Sequence, residues 1–266
     1  MNQEEELLVE VREPLAFLTI NRPERRNALS VSLLVSLAQA LQDLAEKGTV
    51  RCAVLRGAGD RAFSAGMDLT AIPEGLPAEV QERIQSQGPL QYGLEAIEEC
   101  PFPVIAMIRG YCVGAGCETS MACDLRVGAE DCRMGMPPAR LGIVYPPEGL
   151  HRFLRTIGLA ATRKLFLTAE LFGAHEAYQM GMLDYLVPVP ELEAFTEDLA
   201  RRIASNAPLS ISGHKRMLRM LTHPLPLAEE ERREADAIMA RALASEDARE
   251  GIAAFREKRD PVFRGK

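Results

Sequence analysis

Apolar and polar positions alternate over residues 7–20, and the alternation breaks once, at Glu13-Pro14. A period of two belongs to a half-buried strand, so the pattern predicts a hairpin of Leu8-Val9-Glu10-Val11 and Ala16-Phe17-Leu18-Thr19-Ile20. The period then changes. Leu33, Leu34, Leu37, Leu41 and Leu44 return every three to four residues, which predicts a helix over 31–47 that Ser30 caps and Gly48 stops. Cys52-Ala53-Val54-Leu55-Arg56 and Val104 to Ile108 are short, bounded apolar runs and predict strands, with a helix through 90–99 before the second.

Downstream, short strands are expected at Asp124-Leu125-Arg126-Val127 and Cys132-Arg133-Met134, followed by turns rich in proline. From about 150 onward the pattern is mostly helical, with one brief strand at Leu183 to Val187. Helical patterns near 191–204, 208–220 and 227–244 would form a lobe after a β-rich core, an α/β arrangement. Residues 71–89 carry Pro73, Gly75, Pro77 and a polar amphipathic segment, which suits a mobile cover.

Composition narrows the function classes. With 47% hydrophobic and 26% charged residues in 266, the chain reads as a soluble globular protein without an apolar run suited to a bilayer, so no membrane partner is expected. A net charge of −7 and the absence of Trp argue against nucleic acid as a partner. The acidic start has no basic n-region, and the six cysteines form no C-x-x-C pair, so a reduced, cytoplasmic setting is expected. His151, His175, His214 and His223 lack ligand spacing, so no metal is expected, and Ser64 sits in no G-x-S-x-G elbow.

The chemistry concentrates in two glycine-containing turns that each follow a strand, Ala65-Gly66-Met67 and Gly114-Ala115-Gly116. Free backbone N–H groups at such turns, with the positive end of a helix dipole, can hold an oxyanion. Glu118 falls in the first turn of the helix and brings an acid to the same volume. Taken alone, either turn is better explained as ordinary turn chemistry. A dinucleotide reading of the second turn fails, because Thr119 takes the third glycine position and Glu118 would repel phosphates. Arg25-Arg26 and the run Phe255-Arg256-Glu257-Lys258-Arg259 are locally basic, as solvated faces usually are, and both would also suit a phosphate-bearing ligand. Tyr145 and Glu148 lie in a proline-stiffened turn that would hold either side chain at a site.

Together, Asn-Arg-Pro-x-x-x-Asn-Ala-Leu at 21–29, Phe-Ser-Ala-Gly-Met-Asp-Leu at 63–69, Gly-Tyr-Cys-Val-Gly-Ala-Gly-Cys-Glu at 110–118 and Ala-Phe-Arg-Glu-Lys-Arg at 254–259 resemble signatures of the crotonase (enoyl-CoA hydratase/isomerase) superfamily. The resemblance implies the ClpP/crotonase-like fold of repeated ββα units over 1–190, with a C-terminal helical trimerisation lobe over 191–266. It implies a homotrimer or homohexamer and an acyl-CoA thioester substrate, with coenzyme A entering as part of the substrate and no separate cofactor.

By position, the resemblance puts the thioester oxygen between the amides of Met67 and Ala115. Ala65, Asp68 and Leu69 would lie near adenine and pantetheine, Arg25 and Arg26 near the CoA phosphates, and Phe255 and Lys258 would reach CoA from a neighbouring subunit. Glu118 matches the first catalytic glutamate of hydratases, but Pro138 stands where their second would be, and Glu148 is a displaced substitute. Hydration or isomerisation with Glu118 as acid/base is the first expectation. Leu-Gly-Ile-Val-Tyr at 141–145 is similar to methylmalonyl-CoA decarboxylase-like members, which makes decarboxylation using Tyr145 the alternative. A non-catalytic acyl-CoA-binding scaffold is a third.

Overall fold

The computed structural model describes residues 5–68, 77–222 and 228–265. In chain order the elements are β1 (Leu7–Arg12), β2 (Leu15–Ile20), α1 (Val31–Lys47), β3 (Cys52–Gly57), β4 (Ala62–Ser64), α2 (Ala78–Gln87), α3 (Pro89–Glu99), β5 (Val104–Ile108), β6 (Tyr111–Val113), α4 (Ala115–Ala122), β7 (Leu125–Ala129) and β8 (Arg133–Gly135). They continue with α5 (Pro147–Thr168), β9 (Leu171–Gly173), α6 (Ala174–Gln179), β10 (Tyr185–Val187), α7 (Leu192–Ala204), α8 (Pro208–Leu221), α9 (Glu229–Ala244) and α10 (Glu246–Glu257). This mixed α/β chain with parallel sheets is the expected fold class.

Six strands form one sheet in the order β1-β2-β3-β5-β7-β10, antiparallel at the β1–β2 hairpin and parallel beyond it. Strands β2, β3 and β5 are apolar over four or more successive residues because both faces are covered, so β2 is not the half-buried strand that alternation predicts. On one face Leu15, Phe17, Cys52, Val54, Ile105 and Val127 pack with Leu192, Leu199 and Ala200 of α7. The alternate residues, among them Ala16, Leu18, Ala53, Leu55 and Ala106, are also fully buried. Helix α1 starts as expected, the Ser30 hydroxyl accepting from the Leu33 N–H, and ends at left-handed Gly48.

A second sheet runs β4-β6-β8-β9. Three of its strands, β4, β6 and β9, are not among those the sequence pattern predicts. Within 71–89 the described portion is α2 and the start of α3; residues 69–76, and with them Leu69, lie outside the described residues.

Contacts divide the chain into two compact units. The first is Met1–Met134 with Phe172–Leu221, the second Gly135–Leu171 with Thr222–Lys266. A cut at 190 coincides with none of the three boundaries. Helix α7, beyond that cut, packs on β3, β5 and β7 in the first unit. In the second unit α10 lies against the 3-10 turn Pro138–Leu141: a Cβ on Gly251 would come within 2.7 Å of the Leu141 carbonyl carbon.

Candidate active site

In the first unit, β4 and β6 are parallel neighbours with Ser64 opposite Cys112, so the turns that follow them leave the sheet side by side. Gly66 (φ 108°) and Gly114 (φ 58°) adopt backbone conformations that side chains disfavour. The turns are in close contact. A Cβ on Gly66 would stand 3.3 Å from the Val113 carbonyl oxygen and 3.6 Å from the Ala115 nitrogen, and one on Gly116 would stand 2.6 Å from both the Cβ and the carbonyl oxygen of Ser64.

Ala115 opens α4, so its amide is among those that no carbonyl of the helix can reach. Met67 forms an isolated parallel bridge with Leu29. There the Leu29 N–H donates to the Gly66 carbonyl at 2.8 Å, and the Asp68 N–H donates to the Leu29 carbonyl at 2.9 Å. Because peptide directions alternate along extended chain, the Met67 N–H points away from Leu29. Two amides from touching turns, one at a helix N-terminus, can converge on a single oxygen and favour negative charge there. Glu118 lies within the same helix and is 3% exposed.

The loop after β2 is knitted to this region. Asn27, buried and left-handed (φ 56°), donates through Nδ2 to the carbonyls of Ala58 and Ala62 at 3.0 and 2.7 Å and accepts from the Arg22 N–H at 3.1 Å. The Ala65 N–H donates to the Arg26 carbonyl at 3.0 Å, which brings those two residues together. Arg25, Arg26 and Ala65 are exposed. Asp68 is directed to Arg22, whose Nη2 lies 2.7 Å from Asp68 Oδ2 while Nε lies 2.8 Å from Glu6 Oε1 and Nη1 donates to the Ala28 carbonyl at 2.7 Å. Arg22 is not evident from sequence as a site residue, because its carboxylate partners lie at positions 6 and 68; the one local signal is its place in Asn-Arg-Pro.

Tyr145, Glu148, Phe255 and Lys258 belong to the second unit. The half-buried Tyr145 ring lies 5.5 Å from that of Phe166, which meets Phe153 edge-on at 5.1 Å. Glu148 sits in the first turn of α5 and accepts a hydrogen bond from Arg232 of α9 at 2.6 Å. Burial pushes its carboxyl up, but the Arg232 guanidinium and a backbone N–H outweigh burial and hold it below the ordinary carboxylate value. Pro138 is buried at the start of its 3-10 turn. Phe255 is exposed, as is Lys258, the left-handed cap of α10. Arg259 is bound to Glu250 and Glu257, and its hydrogen bond holds Glu250 down to about 2.

A separate cavity of about 350 Å³ opens where β2, β3 and β5 end, lined by Thr19, Arg56, Met107, Arg109 and Glu193 among others. Its arginines already face carboxylates, Arg56 at 2.9 Å from Glu193 and Arg109 at 3.1 Å from Asp131. Among the described residues no three His, Cys, Asp or Glu side chains gather as a metal-ligand set, and no helix is long and apolar enough to cross a membrane.

Comparison with known proteins adds independent findings. The sequence matches the family described as enoyl-CoA hydratase/isomerase over residues 10–266. It is 34% identical to the 2,3-dehydroadipyl-CoA hydratase of Escherichia coli (strain K12), an alignment covering 98% of this chain and 99% of that protein. Among solved structures it resembles a methylmalonyl-CoA decarboxylase in complex with 2-nitronate-propionyl-CoA, with a TM-score of 0.89 and 32% identity over 99% of this chain and all of the other. An enoyl-CoA hydratase/isomerase from Pseudoalteromonas atlantica T6c gives a TM-score of 0.81 and 29% identity, over 98% of this chain and 100% of that one.

Proposed function

The chain belongs to the enoyl-CoA hydratase/isomerase family, and we propose that within it the protein takes an acyl-CoA thioester and stabilises its enolate oxygen between the amides of Met67 and Ala115, with Glu118 moving the proton. The observation that carries this reading is the contact of the two glycine turns, with a helix N-terminus and a buried carboxylate beside it. Each such donor contributes about 3–4 kcal/mol to a developing oxyanion. The coenzyme A belongs to the substrate, exposed Arg25 and Arg26 offer charge for its phosphates, and the chemistry needs no further cofactor. Helix α8 leaves Leu209, Met217 and Leu221 exposed, which suits burial in a homotrimer or homohexamer.

Proton transfer on an enoyl thioester is the first reaction assigned. One carboxylate suffices to shift a double bond, taking a proton from C2 and returning it at C4 of the dienolate. Hydration asks for a second acid, and Pro138 offers none while Glu148 is held as an ion pair with Arg232. That observation favours a second reading, decarboxylation of a malonyl-type thioester. There the bond to the carboxylate breaks, its electron pair enters the enolate, CO₂ leaves and a proton is added at the same carbon. Tyr145 would orient the departing carboxylate. The higher TM-score to the decarboxylase supports the same reading.

The test is a panel of crotonyl-CoA, a 3-enoyl-CoA and methylmalonyl-CoA. Hydration, isomerisation or CO₂ release identifies the reaction, whereas binding of acyl-CoA without turnover on any member leaves a scaffold. Glu118→Gln is expected to abolish hydration or isomerisation with CoA affinity within about twofold of the parent, and unchanged turnover removes Glu118 from the mechanism.

A further inference from the structure

We propose that Arg22 is a positioning residue for the amide of Met67, acting through Asp68. The guanidinium spends its donors in three directions: Nη2 to Asp68, Nε to Glu6 and Nη1 to the Ala28 carbonyl. Asp68 and Ala28 flank the two residues, Met67 and Leu29, that form the isolated bridge. The Arg22 side chain therefore ties together both chains whose pairing aims the Met67 N–H. Glu6 also accepts from the Ser30 hydroxyl at 2.5 Å, so the start of α1 is fixed by the same group. Arg22 and Asp68 are only 12% and 11% exposed, which makes this pair far less screened than a surface ion pair.

A planar fork is required for three divergent bonds. Lysine carries the charge, but its three donors radiate from a single nitrogen and cannot span acceptors spaced to meet Nε, Nη1 and Nη2 separately. By itself the bridge holds the Gly66–Met67 peptide through one hydrogen bond, from the Leu29 N–H to the Gly66 carbonyl, and, being isolated and a single residue long, it has no neighbouring ladder to reinforce it. Arg22 supplies that reinforcement. Its effect belongs to the charge-building step rather than to capture of CoA, and in that sense the inference rests on the enolate reading above.

Arg22→Lys and Asp68→Asn test the assignment. For each, kcat on the substrate that the panel identifies is expected to fall about 10–100-fold while KM changes less than about threefold, the signature of a displaced donor. The double variant is expected to be no worse than the poorer single, because both cut one link. Circular dichroism and thermal unfolding check folding, and near-isosteric Asp68→Asn preserves the test if Arg22→Lys does not fold.

A readout independent of turnover is the affinity for a nitronate acyl-CoA, an enolate mimic, relative to CoA alone. The parent is expected to prefer the nitronate and both variants to lose most of that preference. Retained kcat, or kcat and CoA affinity lost together, overturns the role of Arg22. A parent that prefers the nitronate beside variants that keep the preference overturns it alone, whereas a parent with neither turnover nor preference defeats the enolate reading and this inference with it.

Discussion

Replacing Gly116 with alanine tests the contact on which the site depends. The added Cβ would meet the Ser64 Cβ and carbonyl oxygen at 2.6 Å and the Ser64 Oγ at 2.8 Å, against an ordinary lower limit of 3.4 Å. Relief therefore requires the turns to separate by about 0.8 Å, and no rotamer change supplies it because two of the atoms are Cβ and backbone. Overpacking of this kind costs about 1–3 kcal/mol. Displacing a donor by about 1 Å costs up to about 100-fold in rate, so activity is expected to fall further than stability alone explains. Urea unfolding gives the first quantity, with an unchanged m-value as the sign that both end states are otherwise intact. Steady-state turnover gives the second. Adding Ser64→Gly removes two of the three clashes, with Cβ and Oγ, and leaves the carbonyl at 2.6 Å, so rescue is expected to be incomplete. A Gly116→Ala protein with parental midpoint and kcat would refute the reasoning.

Other perturbations probe the frame around the site. The Lys215 side chain of α8 is 9% exposed, with Nζ 2.7 Å from Asp124 and 3.0 Å from the carbonyls of Ile97 and Phe102; Lys215→Met leaves both carbonyls without that donor and Asp124, itself 28% exposed and still accepting from the Val104 N–H, without its counter-ion, and is expected to cost about 2–3 kcal/mol in denaturant unfolding. A loss under about 1 kcal/mol would mean that water or another group takes over. Glu148 has a folded-state value below its unfolded one, so its contribution is present above the unfolded value of about 4.3 and disappears as pH falls through the folded one. With its side chain 38% exposed, Glu148→Gln is expected to lose about 1 kcal/mol or less at pH 7, with the gap to the parent closing as the pH falls through the folded-state value. A parent-to-variant gap that widens toward acid would contradict the sign.

The residues that carry the proposed chemistry were legible because glycine turns and a helix-starting acid are local features. Gly114-Ala115-Gly116 and Glu118 declare a turn and a helix start within five residues. Leu33 to Leu44 likewise announce α1, and the structure places that helix at Val31–Lys47. The strand Ala62–Ser64 was not legible, since it exists through pairing with Tyr111–Val113. Arg22 was hidden for the same reason, its acids lying at positions 6 and 68.

Periodicity and local punctuation alone therefore determined the parallel core strands, the main helices and the two turns, because each is fixed by residues a few positions apart. Their juxtaposition was decided by the tertiary structure. Gly66 beside Ala115, the Met67 amide turned outward by Leu29, the guanidinium linking Glu6 to Asp68, and the Glu148–Arg232 pair all join segments separated by tens of residues. Such pairings follow from which sheet faces are buried together, a property of the packed chain that no short window of sequence contains.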